Sequence, residues 1–353
     1  MADTIEAAML PNVSGFAYSI YKNGMVRKEG GAGFARSAPD GFRMHGPMQR
    51  NNLASTSKAF TAIAVLQLIE ANKSKGVAVD TKIGAYLPKF YKAGPNIAGL
   101  KFSELLRHRS GLAVGDMNSQ SLLNFSGVAK VVEAGVGPRP VGGGERARDY
   151  DNVNYALLRE LLPALWAESG QAPPAIPSGE VNGIINPIDV GSVLLRALVT
   201  DRILKPVGIS EPLQCKASAS KTGTRYYPLA AGPNTVGVLG TDQSSFCGSG
   251  GMHLSTNDMA KVLSALFHSE KLLPAPARKT MIDRELSFDP FTTSRGVALM
   301  RAGSVGVGGG AGTKACMMHF PDGTDAALVQ NSPDKPDRSP CTVLINAFEA
   351  AWK

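Results

Sequence analysis

A chain of 353 residues exceeds one small module and can bury about three quarters of its unfolded surface, so a full core needs neither metals nor dense disulfides. With 43% hydrophobic and 19% charged residues it is neither disordered nor fibrous, while 39 glycines and 23 prolines predict many turns. The net charge of +8 comes from scattered basic residues, the densest group being Arg146 to Arg148 after Arg139, so no nucleic-acid partner is expected.

The first residues, Met1 to Glu6, carry acids where a secretory leader would carry bases. No apolar run reaches the eighteen or so residues that span a bilayer, so no membrane partner is expected. Cys215, Cys247, Cys316 and Cys341 form no C-x-x-C pair. These features predict a cytoplasmic protein with free thiols.

Ser14 to Tyr21 reads as a strand, Asn23-Gly24 as a two-residue turn, and Met25-Val26 as the start of the return strand. Phe60, Ile63, Ala64, Leu66 and Ile69 predict an amphipathic helix over 56–72. Further helices are predicted over 154–165 and 259–267, the second opened by Ser255-Thr256-Asn257-Asp258, and a long loop over 171–187. Ala315 to Phe320 and Ala326 to Gln330 flank Pro321-Asp322-Gly323 as a second hairpin, and a helix over 342–352 follows. The predicted class is α/β (α+β), with one antiparallel sheet built from both termini and flanked by helices. Residues 1–80 and 235–353 form the α/β lobe, residues 81–234 an inserted, mostly helical lobe, and the active site lies between them.

Ser55-Thr56-Ser57-Lys58 opens the first long helix. Residues three apart share one helix face, so the Lys58 amine can take the Ser55 proton where its surroundings depress its pKa. The helix N-terminus adds free N–H groups suited to an oxyanion. The same spacing recurs at Ser218-Ala219-Ser220-Lys221, where no helical periodicity follows. Tyr150-Asp151-Asn152 offers a tyrosine hydroxyl as a proton shuttle and an amide that can donate to a bound carbonyl. Taken alone, such a Tyr-x-Asn is more often a core tyrosine satisfying a hydrogen bond.

These segments, with Leu105-Leu106-Arg107-His108-Arg109-Ser110-Gly111-Leu112, Ile203 to Ile209 and Gly248-Ser249-Gly250-Gly251-Met252, occur in an order that resembles the serine β-lactamase superfamily. The similarity runs from about Ser14 to Lys353. It is strongest to the branch of class C β-lactamases, D-alanyl-D-alanine peptidases and family VIII carboxylesterases. The resemblance implies a β-lactamase/transpeptidase-like fold, with Ser55 as nucleophile, Lys58 as general base, Tyr150 as proton relay and Asn152 as donor to the substrate carbonyl.

The family's third motif, Lys/His-Thr/Ser-Gly on the strand beside the nucleophile, has no obvious counterpart. Counting back from Phe320-Pro321 places Gly306-Val307-Gly308 in that slot, with Gly308 and Gly309 as substrate-binding residues and the Gly309 N–H as the second oxyanion donor. No ammonium, imidazole or hydroxyl then anchors a substrate carboxylate. Lys221-Thr222-Gly223 precedes the Gly248 segment and reads as a loop, and Lys314 is a candidate for the vacant charge.

The five histidines show no paired-ligand spacing, so neither a metal site nor a cofactor is predicted. There is no G-x-S-x-G elbow and no P-loop. The expected activity is hydrolysis of a small-molecule carboxylic ester through an acyl-enzyme. An amide or peptide hydrolase, an acyltransferase and a non-catalytic binding protein are the alternatives.

Overall fold

The computed structural model describes residues 1–10, 12–113, 123–172, 190–218, 220, 222–229, 231–245, 247–334 and 337–352. Most of the predicted loop at 171–187 and Lys221 of the second S-x-x-K lie outside these residues.

Helix α1 (Ala2–Met9) leads into strands β1 (Gly15–Lys22) and β2 (Met25–Arg36). Their turn puts Asn23 and Gly24 at φ 49° and 84°, the left-handed pair that a tight hairpin requires. Strands β3 (Arg43–Met44) and β4 (Asn51–Asn52) and a 3-10 turn (Ala54–Thr56) precede α2 (Ser57–Ala71). The helical lobe contains α3 (Phe102–Leu106), α4 (Phe125–Ala134), α5 (Val153–Ser169) and α6 (Val190–Val199). The chain then forms β5 (Tyr227–Pro228), β6 (His253–Leu254), α7 (Thr256–His268) and α8 (Ala275–Asp283). Strands β7 (Asp289–Thr293), β8 (Gly296–Gly308), β9 (Ala311–His319) and β10 (Thr324–Gln330) and helix α9 (Pro340–Ala350) complete it.

The sheet runs β3-β2-β1-β10-β9-β8-β7, with antiparallel pairings throughout, and β5 also pairs with β9. Both termini therefore build its centre. Successive side chains of a strand point to opposite faces, and here both faces are covered. Phe16, Tyr18, Cys316, Met318, Ala326 and Leu328 pack with Ile5 and Met9 of α1 and Leu344 and Phe348 of α9. Ala17, Ala315, Met317, Ala327 and Val329 belong to the other core, with α2, α5 and α7.

Three expectations change. Helix α2 is not amphipathic: Lys58, Phe60, Thr61, Ile63, Leu66 and Leu68 on its several faces are all buried, because it runs through the middle of the molecule. The cysteines are not free. Cys215 pairs with Cys247, and Cys316 of β9 pairs with Cys341 of α9, with Cα atoms 5.9 and 5.2 Å apart. The return to the sheet also precedes residue 235, since β5 pairs with β9 and the Arg225 N–H donates to Ala35 O. Among the described residues no helix is long and apolar enough to cross a membrane.

Candidate active site

The 3-10 turn before α2 holds Ser55 in a backbone shape that its neighbours enforce. Ala54 sits at φ 47°, unfavourable for a residue with a Cβ by about 1–2 kcal/mol. Its N–H donates to Asn52 Oδ1 at 2.8 Å, and its carbonyl accepts from Ser57 Oγ at 2.6 Å. The Thr56 N–H donates to Leu53 O. These bonds fix the turn against the strain.

Lys58, near the start of α2, is wholly buried. Its Nζ donates to Ser55 Oγ at 3.1 Å, to Asn152 Oδ1 at 2.6 Å and to the carbonyl of Ser249. Burial pushes this ammonium well below its ordinary range, and the Arg301 guanidinium adds to the effect, while Asp151 opposes it. Because its amide oxygen is taken by Lys58, Asn152 has its NH₂ left for a ligand. The Ser249 segment is itself anchored, with Thr61 Oγ1 donating to Gly248 O and Cys247 tied to Cys215.

Tyr150 approaches Ser55 from the solvent side. Its hydroxyl donates to Ser55 Oγ at 2.8 Å, its ring centroid is 5.0 Å from Lys58 Nζ, and it is 47% exposed. The preceding segment is clamped by the buried Glu104 carboxylate, which receives Arg139 at 2.7 Å and Arg146 at 3.3 Å. His108, at φ 54°, receives the Asp149 N–H on its carbonyl, donates from Nδ1 to Asp151 O, and packs its ring at a 33° tilt 4.3 Å from that of Tyr150. Burial first, then Arg301, Lys58 and Arg148, push His108 down to about 2, so it is a neutral ring supporting Tyr150.

The four candidates at 55, 58, 150 and 152 are thus brought together. Gly308 and Gly309 are not. They lie at the β8–β9 turn, where Gly308 pairs with Ala311, and neither lines a cavity containing Ser55. The strand passes the nucleophile earlier, at Arg301-Ala302-Gly303-Ser304. A Cβ on Gly303 would stand 2.7 Å from Ser55 N, 2.6 Å from Thr56 N and 2.4 Å from Leu53 O, so only glycine lets β8 lie against the turn. The slot therefore holds a cation and a hydroxyl after all. Arg301 donates from Nε to Ser55 O at 3.3 Å and from Nη1 to Ser287 O at 3.1 Å.

Lys314 does not fill the charge position, because its Nζ is held by Asp334 at 3.0 Å, Asp337 at 2.6 Å and Arg338 O. Thr222 and Gly223 use their carbonyls to bind Gln49 and Arg36, and neither lines a cavity containing Ser55. Sequence reasoning missed Arg301, Gly303 and Ser304. The available signal was a basic residue two places before a strand glycine, which among the four glycines of β8 only Gly303 has.

Two openings meet at Ser55. A recess of about 60 Å³ lies towards Asn152, Gln243, Ser249 and Gly251. A groove of about 420 Å³ lies towards Arg148, Tyr150, Asp289 and Ser304. A larger cavity of about 680 Å³, by Trp166 and Arg202, contains none of these catalytic candidates. The arrangement can deprotonate a serine hydroxyl, hold its acyl product and return the proton through a phenol.

No curated protein matches the chain in sequence. Among solved structures, an octameric penicillin-binding protein homologue from Pyrococcus abyssi aligns at TM-score 0.69 and 17% identity, over 99% of this chain and 76% of that one. A β-lactamase/D-alanine carboxypeptidase from Yersinia pestis aligns at 0.68 and 15%, over 99% and 96%. A D-amino acid amidase from Ochrobactrum anthropi aligns at 0.67 and 18%, over 99% and 98%. The family model described as Beta-lactamase matches residues 1–336, and the chain belongs to that family, as a hydrolase of the serine β-lactamase fold.

Proposed function

We propose that the protein hydrolyses a small carboxylic ester with an uncharged leaving group, through an acyl-enzyme on Ser55. Burial and Arg301 disfavour the charged form of Lys58. In its neutral form it keeps two N–H bonds, to Asn152 and Ser249, turns its lone pair to Ser55 and takes that proton as Oγ attacks the ester carbonyl. The tetrahedral oxyanion lies between the Ser55 N–H and the Ser304 N–H, on the edge of β8 that β7 leaves free after Met300. Asn152 donates its amide to the acyl carbonyl. Tyr150 passes the proton to the departing alkoxide, and water then deacylates the enzyme by the reverse relay.

The observation that carries the ester preference is that Arg148 and Lys314 of the groove are already paired with carboxylates, and that Arg301 is buried. Arg148 binds Asp289 at 2.8 Å, Lys314 binds Asp334 and Asp337, and Arg301 binds two main-chain carbonyls while its Nη2 is sealed from solvent. A substrate carboxylate would have to displace an existing ion pair or reach the buried Arg301. The two disulfides support an oxidising compartment in place of the expected cytoplasm.

One observation favours a second reading. The exposed Ser304, next to Gly303 and Arg301, offers a hydroxyl that can hydrogen-bond the polar end of an amide substrate, which suits an amide or peptide hydrolase like the D-amino acid amidase among the structural neighbours. Initial rates on p-nitrophenyl butyrate and on D-alanine p-nitroanilide separate the two, each measured for wild type and Ser55→Ala. The ester reading expects kcat/KM at least a hundredfold higher on the ester and a loss of about a thousandfold or more in the variant. Faster turnover of the anilide would replace it with the amide reading. Equal ester rates for wild type and variant would remove Ser55 from the chemistry.

A further inference from the structure

Outside the cavities that contain Ser55, three side chains converge that the proposed reaction does not use. His319 ends β9, Asp325 is its cross-strand partner on β10, and His268 is the last residue of α7. We propose that His268, His319 and Asp325 bind a first-row divalent cation, with zinc as the representative.

Asp325 is fully buried. Its Oδ1 accepts from His319 Nδ1 at 2.7 Å. Its Oδ2 lies 2.9 Å from His268 Nε2, yet it receives no hydrogen bond. The imidazole nitrogen faces the carboxylate oxygen off the line that an N–H would take. A buried carboxylate oxygen left in this state is costly unless something else occupies the space between the two groups. A cation does so, because it takes lone pairs that converge beside the line between the two atoms.

The donor set suits such an ion. One ligand atom from each of the three residues lies within 4.8 Å of the others. Zinc bonds of about 2.0–2.2 Å to nitrogen and oxygen set donors roughly 3.4 Å apart, so the nitrogen–oxygen pairs now at 2.7 and 2.9 Å open by roughly half an ångström as the ion enters. Two imidazoles and one carboxylate match the preferences of zinc, cobalt and nickel and disfavour calcium or magnesium.

The ring of His319 is held in plane by stacking on Phe267, with centroids 4.0 Å apart and planes 7° apart. The carbonyl end of α7 favours positive charge at His268. Lys22, on the neighbouring strand, is neutralised by Asp322. The two imidazoles keep 21% and 19% of their side-chain surface exposed, which gives the ion a path in and water as its remaining ligand. On binding, the proton on His319 Nδ1 passes to Nε2 of the same ring, so the imidazole coordinates as the neutral ligand. Bound in this way, the ion ties the end of α7 to the β9–β10 hairpin.

The sequence allows a clean test, because His45, His108 and His253, the other three histidines, are buried. Titration of the untagged, chelator-treated protein with zinc chloride in a calorimeter is expected to show one ion per chain. His268→Ala and His319→Gln are each expected to weaken it at least tenfold. Zinc in excess is expected to raise the wild-type melting midpoint by a few degrees and to leave that of His268→Ala unmoved. Circular dichroism of His268→Ala, whose side chain is partly exposed, is expected to match that of the wild type. Absence of binding to the wild type overturns the proposal. So does unchanged affinity in both His268→Ala and His319→Gln, which identifies adventitious surface binding.

Discussion

Gly303 lies so close to Ser55 that a single methyl group on it would stand 2.7 Å from the Ser55 nitrogen. The atoms it would meet are all main chain, so the contact cannot be relieved by a side-chain rotation. Gly303→Ala is expected to push β8 away from the nucleophile's turn. Activity should fall by about a hundredfold or more, with a loss of stability of about 1–3 kcal/mol. Gly308→Ala provides the contrast. Its φ of 100° makes it unfavourable for alanine, but nothing lies within 4 Å of the added carbon. It should lose stability and keep activity within about twofold. Activity in Gly308→Ala as low as in Gly303→Ala would restore the later register.

Tyr150→Phe is expected to keep the ring on His108 and lose only the hydroxyl that reaches Ser55. The rate should drop roughly a hundredfold or more, the range of a lost proton relay, while the melting midpoint stays within a few degrees. Steady-state kinetics beside thermal melts check both. A rate near wild type would transfer the relay to water.

The pH profile follows from Lys58. Burial, reinforced by Arg301, depresses its folded pKa, so the active neutral amine is reached well below the 10.4 or so of a free lysine. kcat/KM should therefore rise with pH along a limb set by Lys58 and level off. In Arg301→Met one depressing charge is gone, the folded pKa rises, and the limb should move to higher pH. A limb that stays in place would detach Arg301 from Lys58. The same shift affects stability. Between the folded pKa and that of the unfolded chain the unfolded state binds the extra proton, so Lys58 contributes a stability that increases with pH across that window.

Thiol titration of the native protein is expected to find no reactive cysteine among its four, and four after unfolding with reductant. The Cys316–Cys341 bridge closes a span of 25 residues, so Cys316→Ala with Cys341→Ala should cost roughly 3 kcal/mol in urea unfolding. Four reactive thiols in the untreated protein would return it to a reducing compartment.

The parts of the fold legible in the sequence are those set by local chemistry. Asn23-Gly24 and Pro321-Asp322-Gly323 dictate turns, and alternation on either side of them dictates the strands. The chemistry of Ser55 and Lys58 was legible because three residues on a helix are a fixed geometry. The place where β8 meets Ser55 was not, because it depends on how a strand lies across a turn nearly 250 residues away, as in the Arg301 to Ser55 contact. Counting along one strand carries no information on that sideways approach, and only Arg301, two places before Gly303, sets one of the four β8 glycines apart. Cysteine pairing was hidden for the same reason, since four cysteines allow three pairings and only the fold brings Cys316 to Cys341. The burial of α2 on all sides also escaped, because Lys58 and Thr61 read as part of a polar face until the rest of the fold covers them.

The junction of β1 with β10 has a consequence for synthesis of the chain. The Ser14 N–H meets Ser332 Oγ across 318 positions of sequence, and Phe16 pairs with Gln330. A ribosome making this protein releases the β1–β2 hairpin near the start and its neighbour in the sheet only near the end. Throughout that interval one edge of β1 has no strand beside it, so the nascent sheet stays open until translation is almost over.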